Sequence, residues 1–227
     1  KAHKLQSEFV SNASHEIRTP LSTIQLETEL ILKDKNASRE DLREILQSNL
    51  EEAKSLESLT SMLLRLSKIE KIALENVNLN EIVKNRLEKF PSDKINFTES
   101  KEFIVYANET AIAELATILV DNALKYNTSK EKIDVKIFRE NRQAILEVSN
   151  FSRQIEKSEL DKLFERFYRS DNARSCNGKC EGHGLGLAIA KKLVENLESS
   201  LTVHNEKVAG EEEKFRTTFK VGLKFGK

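Results

Sequence analysis

The stretch Ser14-His15-Glu16-Ile17-Arg18-Thr19-Pro20-Leu21 decides how the rest of the chain is read. Around it, Val10, Ala13, Ile17, Leu21 and Ile24 recur at spacings of three and four, which is one face of an amphipathic helix. At about 100° per residue, His15 lies roughly 160–200° from both Ala13 and Ile17, so it points away from that seam into solvent. A histidine on the wet side of a packed helix is not a core residue. Taken alone it is an ordinary surface side chain, and only the rest of the chain can give it a task.

Working outward, this helix is expected over 3–34. The polar run Lys33-Asp34-Lys35-Asn36-Ala37-Ser38 breaks the period, and Ser38 with Asp41 makes a capping-box-like start for a second helix. That helix is expected to reach about residue 73, with Leu42, Leu46, Leu50, Ala53, Leu56, Leu59, Leu63, Leu66 and Ile69 at spacings of three and four. Two helices joined by a short loop form an antiparallel hairpin. A lone hairpin cannot cover both apolar stripes. Pairing two copies into a four-helix bundle covers them, and packing on the chain's own second half is the alternative.

The character changes near Asn76, which places a boundary between a domain over 1–74 and one over 75–227. Asn78 followed by Glu81 reads as a helix start, and the helix Leu79–Phe90 ends at Pro91. Strand-like runs follow at Lys94–Glu99 and Glu102–Ala107, then a strong helix over Glu109–Tyr126. Lys132–Arg139 and Ala144–Ser149 read as a strand hairpin, and Lys157–Phe164 as a short helix. Arg166–Glu181 is polar and irregular. A helix after Gly184 reaches Leu197, and strands Leu201–Glu206 and Phe215–Leu223 close the chain. The fold class is α+β: a helical hairpin followed by a two-layer α/β sandwich with mostly antiparallel strands.

Bulk composition narrows the function. The 227 residues carry 37 basic and 37 acidic side chains, and this zero balance argues against a nucleic-acid binder working through a basic surface. No apolar run reaches the roughly 18 residues of a membrane span, and no signal peptide is visible. The chain begins with Lys1 inside a helical pattern, which reads as a fragment of something longer. Cys176 and Cys180 do not make a disulfide framework for a chain of this size. They are either incidental loop cysteines of a reducing compartment or, with His183, part of a metal or redox site that lacks an obvious fourth ligand.

Two features point to phosphate chemistry. Gly182-His183-Gly184-Leu185-Gly186-Leu187 opens a helix, and glycines before a helix N-terminus let the backbone approach a phosphate; such loops are also often only turns. On the helix over 109–126, Asn122 falls on nearly the same face as Leu115. It is either a satisfied core amide or an oxygen ligand for Mg2+. Lys125 and Tyr126 follow on that face, where a lysine either reaches a phosphate or is simply solvated.

These segments together resemble the cytoplasmic catalytic core of a bacterial two-component sensor histidine kinase. Ser14–Leu21 resembles the H box of that family. Leu119-Val120-Asp121-Asn122-Ala123-Leu124-Lys125-Tyr126 resembles its N box, Leu163-Phe164-Glu165-Arg166-Phe167-Tyr168-Arg169 its F box, and Gly182–Leu187 its second glycine box. The order and separations match, and the four cover nearly the whole chain.

The resemblance implies a phosphoacceptor hairpin that dimerises and an ATP-binding domain of the Bergerat type. It implies His15 as nucleophile, Glu16 as the carboxylate that orients it, and Thr19 as the residue supporting dephosphorylation of a partner. Asn122 would hold Mg2+ on ATP, with Lys125, Tyr126, Arg169, Gly182, Gly184, Leu185, Gly186 and Leu187 around the nucleotide, and Arg166–Glu181 as a mobile lid. The implied partners are a second copy and the receiver domain of a response regulator. The implied location is the cytoplasmic portion of a bacterial cell-membrane protein, attached only through a segment upstream.

The chain departs from the family at the first glycine box, Asp-x-Gly-x-Gly. Here Asn150-Phe151-Ser152-Arg153-Gln154 stands instead, with Asn150 for the aspartate that binds the adenine amino group and Ser152 and Gln154 for both glycines. An asparagine oxygen still accepts a hydrogen bond, without the strengthening charge. Ile118, four residues before Asn122, is a second departure, since the position is often polar in the family. Weaker ATP binding is therefore expected, with a kinase-weak protein acting mainly as phosphatase or dimeric scaffold as the alternative. An ATP-driven clamp of the same superfamily has no need of the His15 helix. A serine or tyrosine kinase would give a label stable to acid.

Overall fold

A computed structural model describes residues 2–68, 73–169, 182–210 and 214–226, with the side chains of 2–6, 8 and 68 left aside. The chain divides into two compact units, Lys1–Ser67 and Lys68–Lys227. Cys176, Cys180 and residues 170–181 of the lid expected over Arg166–Glu181 lie outside the described residues, as does Ile69.

The first unit is a hairpin of α1 (Ala2–Lys33) and α2 (Arg39–Lys68). Its turn is built as the sequence suggests. Asp34 Oδ1 accepts from the Asn36 N–H at 2.8 Å, the Ser38 N–H donates to Asp41 Oδ2 at 2.9 Å, and the Asp41 N–H donates back to Ser38 Oγ at 3.1 Å. The Ser38 backbone N–H, then its side chain, hold the Asp41 carboxyl below its ordinary range. Between the helices Ser48 Oγ donates to Glu27 Oε1 and Asn49 Nδ2 to Thr28 Oγ1, both at 3.1 Å. The expected seam is only partly covered: Leu59 and Pro20 are buried, whereas Val10 and Leu21 stay exposed.

In the second unit β1 (Glu75–Asn78) pairs antiparallel with β3 (Ile104–Ala107) as a separate two-stranded sheet. β1 was not expected as a strand, because Glu-Asn-Val-Asn has one apolar residue and no alternation to read. The main sheet runs β2 (Ile95–Glu99), β4 (Ile133–Glu140), β5 (Gln143–Ser152), β7 (Phe215–Lys224), β6 (Ser200–Lys207). β2 lies parallel to β4, and the other pairs are antiparallel. The neighbouring runs β2 and β3 thus belong to different sheets.

Helix α3 (Leu79–Leu87) starts at Asn78, whose side chain accepts from the Asn80 and Glu81 N–H groups. α4 (Glu109–Tyr126) starts at Asn108, which accepts from the Ala111 N–H at 3.1 Å. α4 packs on β5 and β4, with α3 and α6 (Gly186–Asn196) against it, giving the second layer. The short α5 (Lys157–Leu160) runs into a 3-10 turn at Asp161–Phe164. The strand register lays the core out in rows across β5, β7 and β6: Leu146–Val221–Leu201, then Val148–Phe219–Val203. One step further the row becomes Asn150–Thr217–Asn205, so the apolar face of the sheet turns polar at one end.

Candidate functional site

In the hairpin unit His15 is exposed on α1, while Ala13, Glu16 and Ile17 are half-buried. Thr19, one turn on and exposed, donates its hydroxyl to the His15 carbonyl at 3.2 Å. Ser14 Oγ does the same to the Val10 carbonyl at 2.8 Å, and Thr23 Oγ1 to the Thr19 carbonyl at 3.3 Å. Pro20, inside the helix, has no N–H to give the Glu16 carbonyl. The turn carrying His15 is therefore flanked by side-chain hydroxyls that compete for its carbonyls and by one absent ladder bond.

The second unit gathers its polar groups at the start of α6. Gly182 (φ +148°) has Lys125 of α4 beside it: a Cβ there would lie 2.5 Å from Lys125 Nζ. That ammonium also sits 5.2 Å from the centroid of the Tyr126 ring. Gly184 (φ +66°) is required twice over, since a Cβ would meet the Tyr168 carbonyl at 2.7 Å in a left-handed backbone. Here the F-box segment closes on the glycine loop, with the Phe167 N–H donating to the Gly184 carbonyl at 2.9 Å. Phe167 is itself left-handed (φ 64°), a strained state for a bulky residue held by its surroundings. Phe164 anchors the segment edge-on to Phe219, and Tyr168 Oη donates to Glu159 Oε1 at 2.8 Å.

No side chain caps the N-terminus of α6, so its first N–H groups are offered to the loop side. Leu185 is fully buried and Leu187 buried, so both side chains belong to the core beside the loop. Gly186 lies over Ile118, where an added Cβ would be 3.6 Å from Ile118 Cγ2. Asn122 is half-buried and its side chain makes no hydrogen bond among the described residues. The satisfied core amide is thus not what the fold shows, and a hard-oxygen ligand role fits. Asp121 is exposed by area, yet the protein around it desolvates its carboxyl and raises it, with the Lys125 charge opposing. Arg169 is half-buried at the end of the described segment.

At the end of β5, Asn150 is buried. Its Nδ2 donates to the Tyr126 carbonyl at 3.2 Å and the Phe151 carbonyl at 2.9 Å. With both neighbours of the nitrogen being carbonyls, Oδ1 is left as an acceptor without a partner among the described residues. Ser152, where the resemblance leads one to expect a first glycine, is buried and shares a 2.7 Å hydrogen bond with Thr217 Oγ1. Gln154, where it leads one to expect the second, is exposed and reaches Glu156 at 3.4 Å. Behind Phe151, Arg216 bridges Asp134 and Ser149 and lies 4.5 Å from the ring centroid. Burial raises the Asp134 carboxyl, but hydrogen bonds from Arg216 and Asn96 and the charges of Arg216 and Lys136 outweigh it and leave it below its ordinary range.

The fold thus brings Asn122, Lys125, Gly182, Gly184 and the α6 start to one place, and Asn150 to the neighbouring carbonyl of Tyr126. His15, Glu16 and Thr19 stand in the other unit. The sequence reading missed Asn205, Thr217 and Phe167. For the first two, a signal existed in the alternation of β6 and β7, but it needed the register to be read.

Comparison with known proteins gives the family of each unit. Residues 5–72 match the His Kinase A (phospho-acceptor) domain family. Residues 107–226 match the family described as histidine kinase-, DNA gyrase B-, and HSP90-like ATPase. The signal transduction histidine-protein kinase ArlS of Staphylococcus haemolyticus is 32% identical over 210 residues, 88% of this chain and 46% of its own length. The sensor protein CiaH of Streptococcus pneumoniae is 32% identical over 223 residues, 90% of this chain and 48% of its own. The chain therefore spans about half the length of these relatives.

Among solved structures, histidine kinase ThkA in complex with response regulator protein TrrA aligns with a TM-score of 0.71 at 22% identity, covering 97% of this chain and 63% of that one. Histidine kinase AdeS of Acinetobacter baumannii aligns at 0.61 and 19%, covering 92% and 98%. At such identities these show the shared fold. With both domain families in order on one chain, an exposed histidine on the first and a glycine loop meeting a lysine on the second, the chain belongs to the two-component sensor histidine kinases.

Proposed function

We propose that this chain moves the γ-phosphoryl group of ATP to His15 and then to an aspartate of a response regulator. The observation that carries this is the meeting of Lys125 Nζ with Gly182 before the uncapped start of α6, on the same helix α4 that presents Asn122. A cation, free N–H donors and an amide oxygen are the groups a triphosphate requires. Mg2+, when bound, would neutralise charge on the phosphate oxygens, and Asn122 would hold it. Asn150 Oδ1 would accept from the adenine amino group.

In the transfer, the unprotonated imidazole nitrogen of His15 forms a bond to the γ-phosphorus. The bond to the β-phosphate oxygen breaks, and ADP leaves with that electron pair. The other imidazole nitrogen gives its proton to Glu16. The aspartate of the receiver domain then attacks phosphohistidine, and His15 leaves neutral after taking a proton back. Exposure suits His15 to this, because both the nucleotide and the regulator must reach it. Thr19 would orient the water that hydrolyses the regulator's acyl phosphate. ThkA, whose structure is a complex with a response regulator, supports such a partner.

A second copy supports the hairpin. Leu42, Leu46 and Leu50 form one line down α2, and Leu26 and Leu30 a shorter one on α1, all exposed. Four-helix packing of two hairpins would bury them. We place the domain boundary at 74/75 and the whole protein at the cell membrane with this chain on its cytoplasmic side, since its relatives are about twice as long. No described helix is long and apolar enough to cross a membrane. Membrane fractionation of the whole protein checks the location.

The uncharged Asn150 favours a second reading, a weak nucleotide site with dephosphorylation dominant. A low-micromolar dissociation constant for ATP by calorimetry would overturn that second reading. The main test is labelling from γ-labelled ATP with Mg2+. The label should be lost in acid and survive alkali. His15→Gln should remove it, by at least about 100-fold, with nucleotide binding intact. Thr19→Ala should keep it while slowing regulator dephosphorylation by about ten-fold. Label persisting on the Gln variant would show the wrong acceptor.

A further inference from the structure

The replacement of both glycines in the first box has a structural counterpart on β6. Asn205, half-buried, uses its whole side chain on the segment that follows β5. Its Oδ1 accepts from the Ile155 N–H at 2.9 Å. Its Nδ2 donates to Ser152 Oγ and Thr217 Oγ1, both at 3.0 Å, and lies 3.3 Å from the Arg153 carbonyl. Ser152 Oγ also donates to the Arg153 carbonyl at 3.0 Å. This fixes the direction of the remaining bond: with the Ser152 proton committed, Thr217 donates to Ser152 Oγ at 2.7 Å. Every polar atom of the three side chains then has a partner, in a place where an unpaired one would be costly.

We infer that Asn205 is a positioning residue for nucleotide recognition, and that Ser152 is its latch. Residues 152–155 are held to β6 and β7 by four side-chain bonds from Asn205 and Ser152, where glycines would leave them loose. Asn150 is two residues before Ser152 on the same face of β5, in the cross-strand row that ends at Asn205. Its amide nitrogen is tied to the Tyr126 and Phe151 carbonyls, and the Phe151 carbonyl is tied in turn to the Thr128 N–H at 2.9 Å. Asn205 sets the loop, the loop sets the end of β5, and the end of β5 sets Asn150 Oδ1 against the ring it must meet. The serine is therefore a working part of this site. Restoring a glycine there removes the latch and takes one hydrogen-bond partner each from half-buried Asn205 and buried Thr217.

This inference rests on the adenine-nucleotide reading above, and the experiment separates the two. Binding of ADP and of IDP to the full chain is measured by calorimetry; IDP presents a carbonyl oxygen where ADP presents an amino group. Asn205→Ala is expected to weaken ADP binding by about ten-fold, the size of losing one buried hydrogen-bond set, and to narrow the preference for ADP over IDP. Ser152→Gly is expected to shift both in the same direction. Asn205→Asp keeps an oxygen for the Ile155 N–H but sets an acceptor against the Arg153 carbonyl and against two hydroxyls whose protons are already committed, so it is expected to narrow the preference as Asn205→Ala does. Thermal unfolding without nucleotide identifies any variant that has lost the fold, and Ser152→Gly, the smaller change, then decides. Unchanged ADP affinity and preference in folded Asn205→Ala and Ser152→Gly would overturn the inference alone. Failure of the unaltered chain to bind ADP would overturn the nucleotide reading and this inference with it.

Discussion

The two units of this protein treat their apolar side chains in opposite ways. The sandwich covers nearly all of its own: Leu115, Leu119, Ile137, Leu146, Val221 and Leu223 are each at or below 1% exposure. The hairpin leaves Leu46 67% and Leu26 60% exposed. The difference lies in how many elements each unit can bring against its apolar side chains. A sheet with helices on one face closes a core by itself, whereas two helices share only one line of contact. The sandwich closes its own core, whereas the described hairpin leaves a line of leucines exposed.

The sharpest way to break this contrast is to charge the bare stripe. Leu46→Glu with Leu50→Glu should weaken self-association by at least about 100-fold, seen by sedimentation, because two charges would stand where the proposed four-helix bundle buries two leucines, at some cost each. Nucleotide binding by the sandwich should not change. A double variant that still sediments as a dimer would locate the interface elsewhere. Next in size is Gly184→Ala. A left-handed backbone and a Cβ 2.7 Å from the Tyr168 carbonyl should cost the sandwich about 2 kcal/mol and most of its nucleotide affinity, with sedimentation unaltered.

The smallest expected effect is at the Asp134–Arg216 pair. Since the folded carboxyl lies below its ordinary range, it adds stability above the unfolded pKa and loses it as pH falls through the folded one. Asp134→Asn should cost about 1 kcal/mol at neutral pH, given that Arg216 is a third exposed, and should flatten the acid side of the sandwich's stability curve below about pH 4. The hairpin's own acid response should stay as it is.

The contrast also shows what a sequence can and cannot give away. Helices α1, α2 and α4 were legible because their apolar residues repeat over many turns, and α3 and the hairpin turn because Asn78 and Ser38 cap where caps are needed. The glycine loop and Asn122 were legible as residue types suited to phosphate. β1 was hidden by its polar composition, and the assignment of β2 and β3 to separate sheets depends on which distant strand each one meets. The partnership of Ser152 with Asn205 was hidden for the same reason: 53 residues separate them, and only the register of β6 against β7 against β5 brings them together. Leu185 was expected near the nucleotide by its place in a motif, and the fold shows its side chain fully buried.

Pro20 has a mechanical meaning beyond its missing hydrogen bond. A rod that lacks one internal tie and has its neighbouring ties shared with hydroxyl groups is most compliant at that turn. In α1 the compliant turn follows His15 directly. A bend in α1 would therefore concentrate at the turn that follows the histidine.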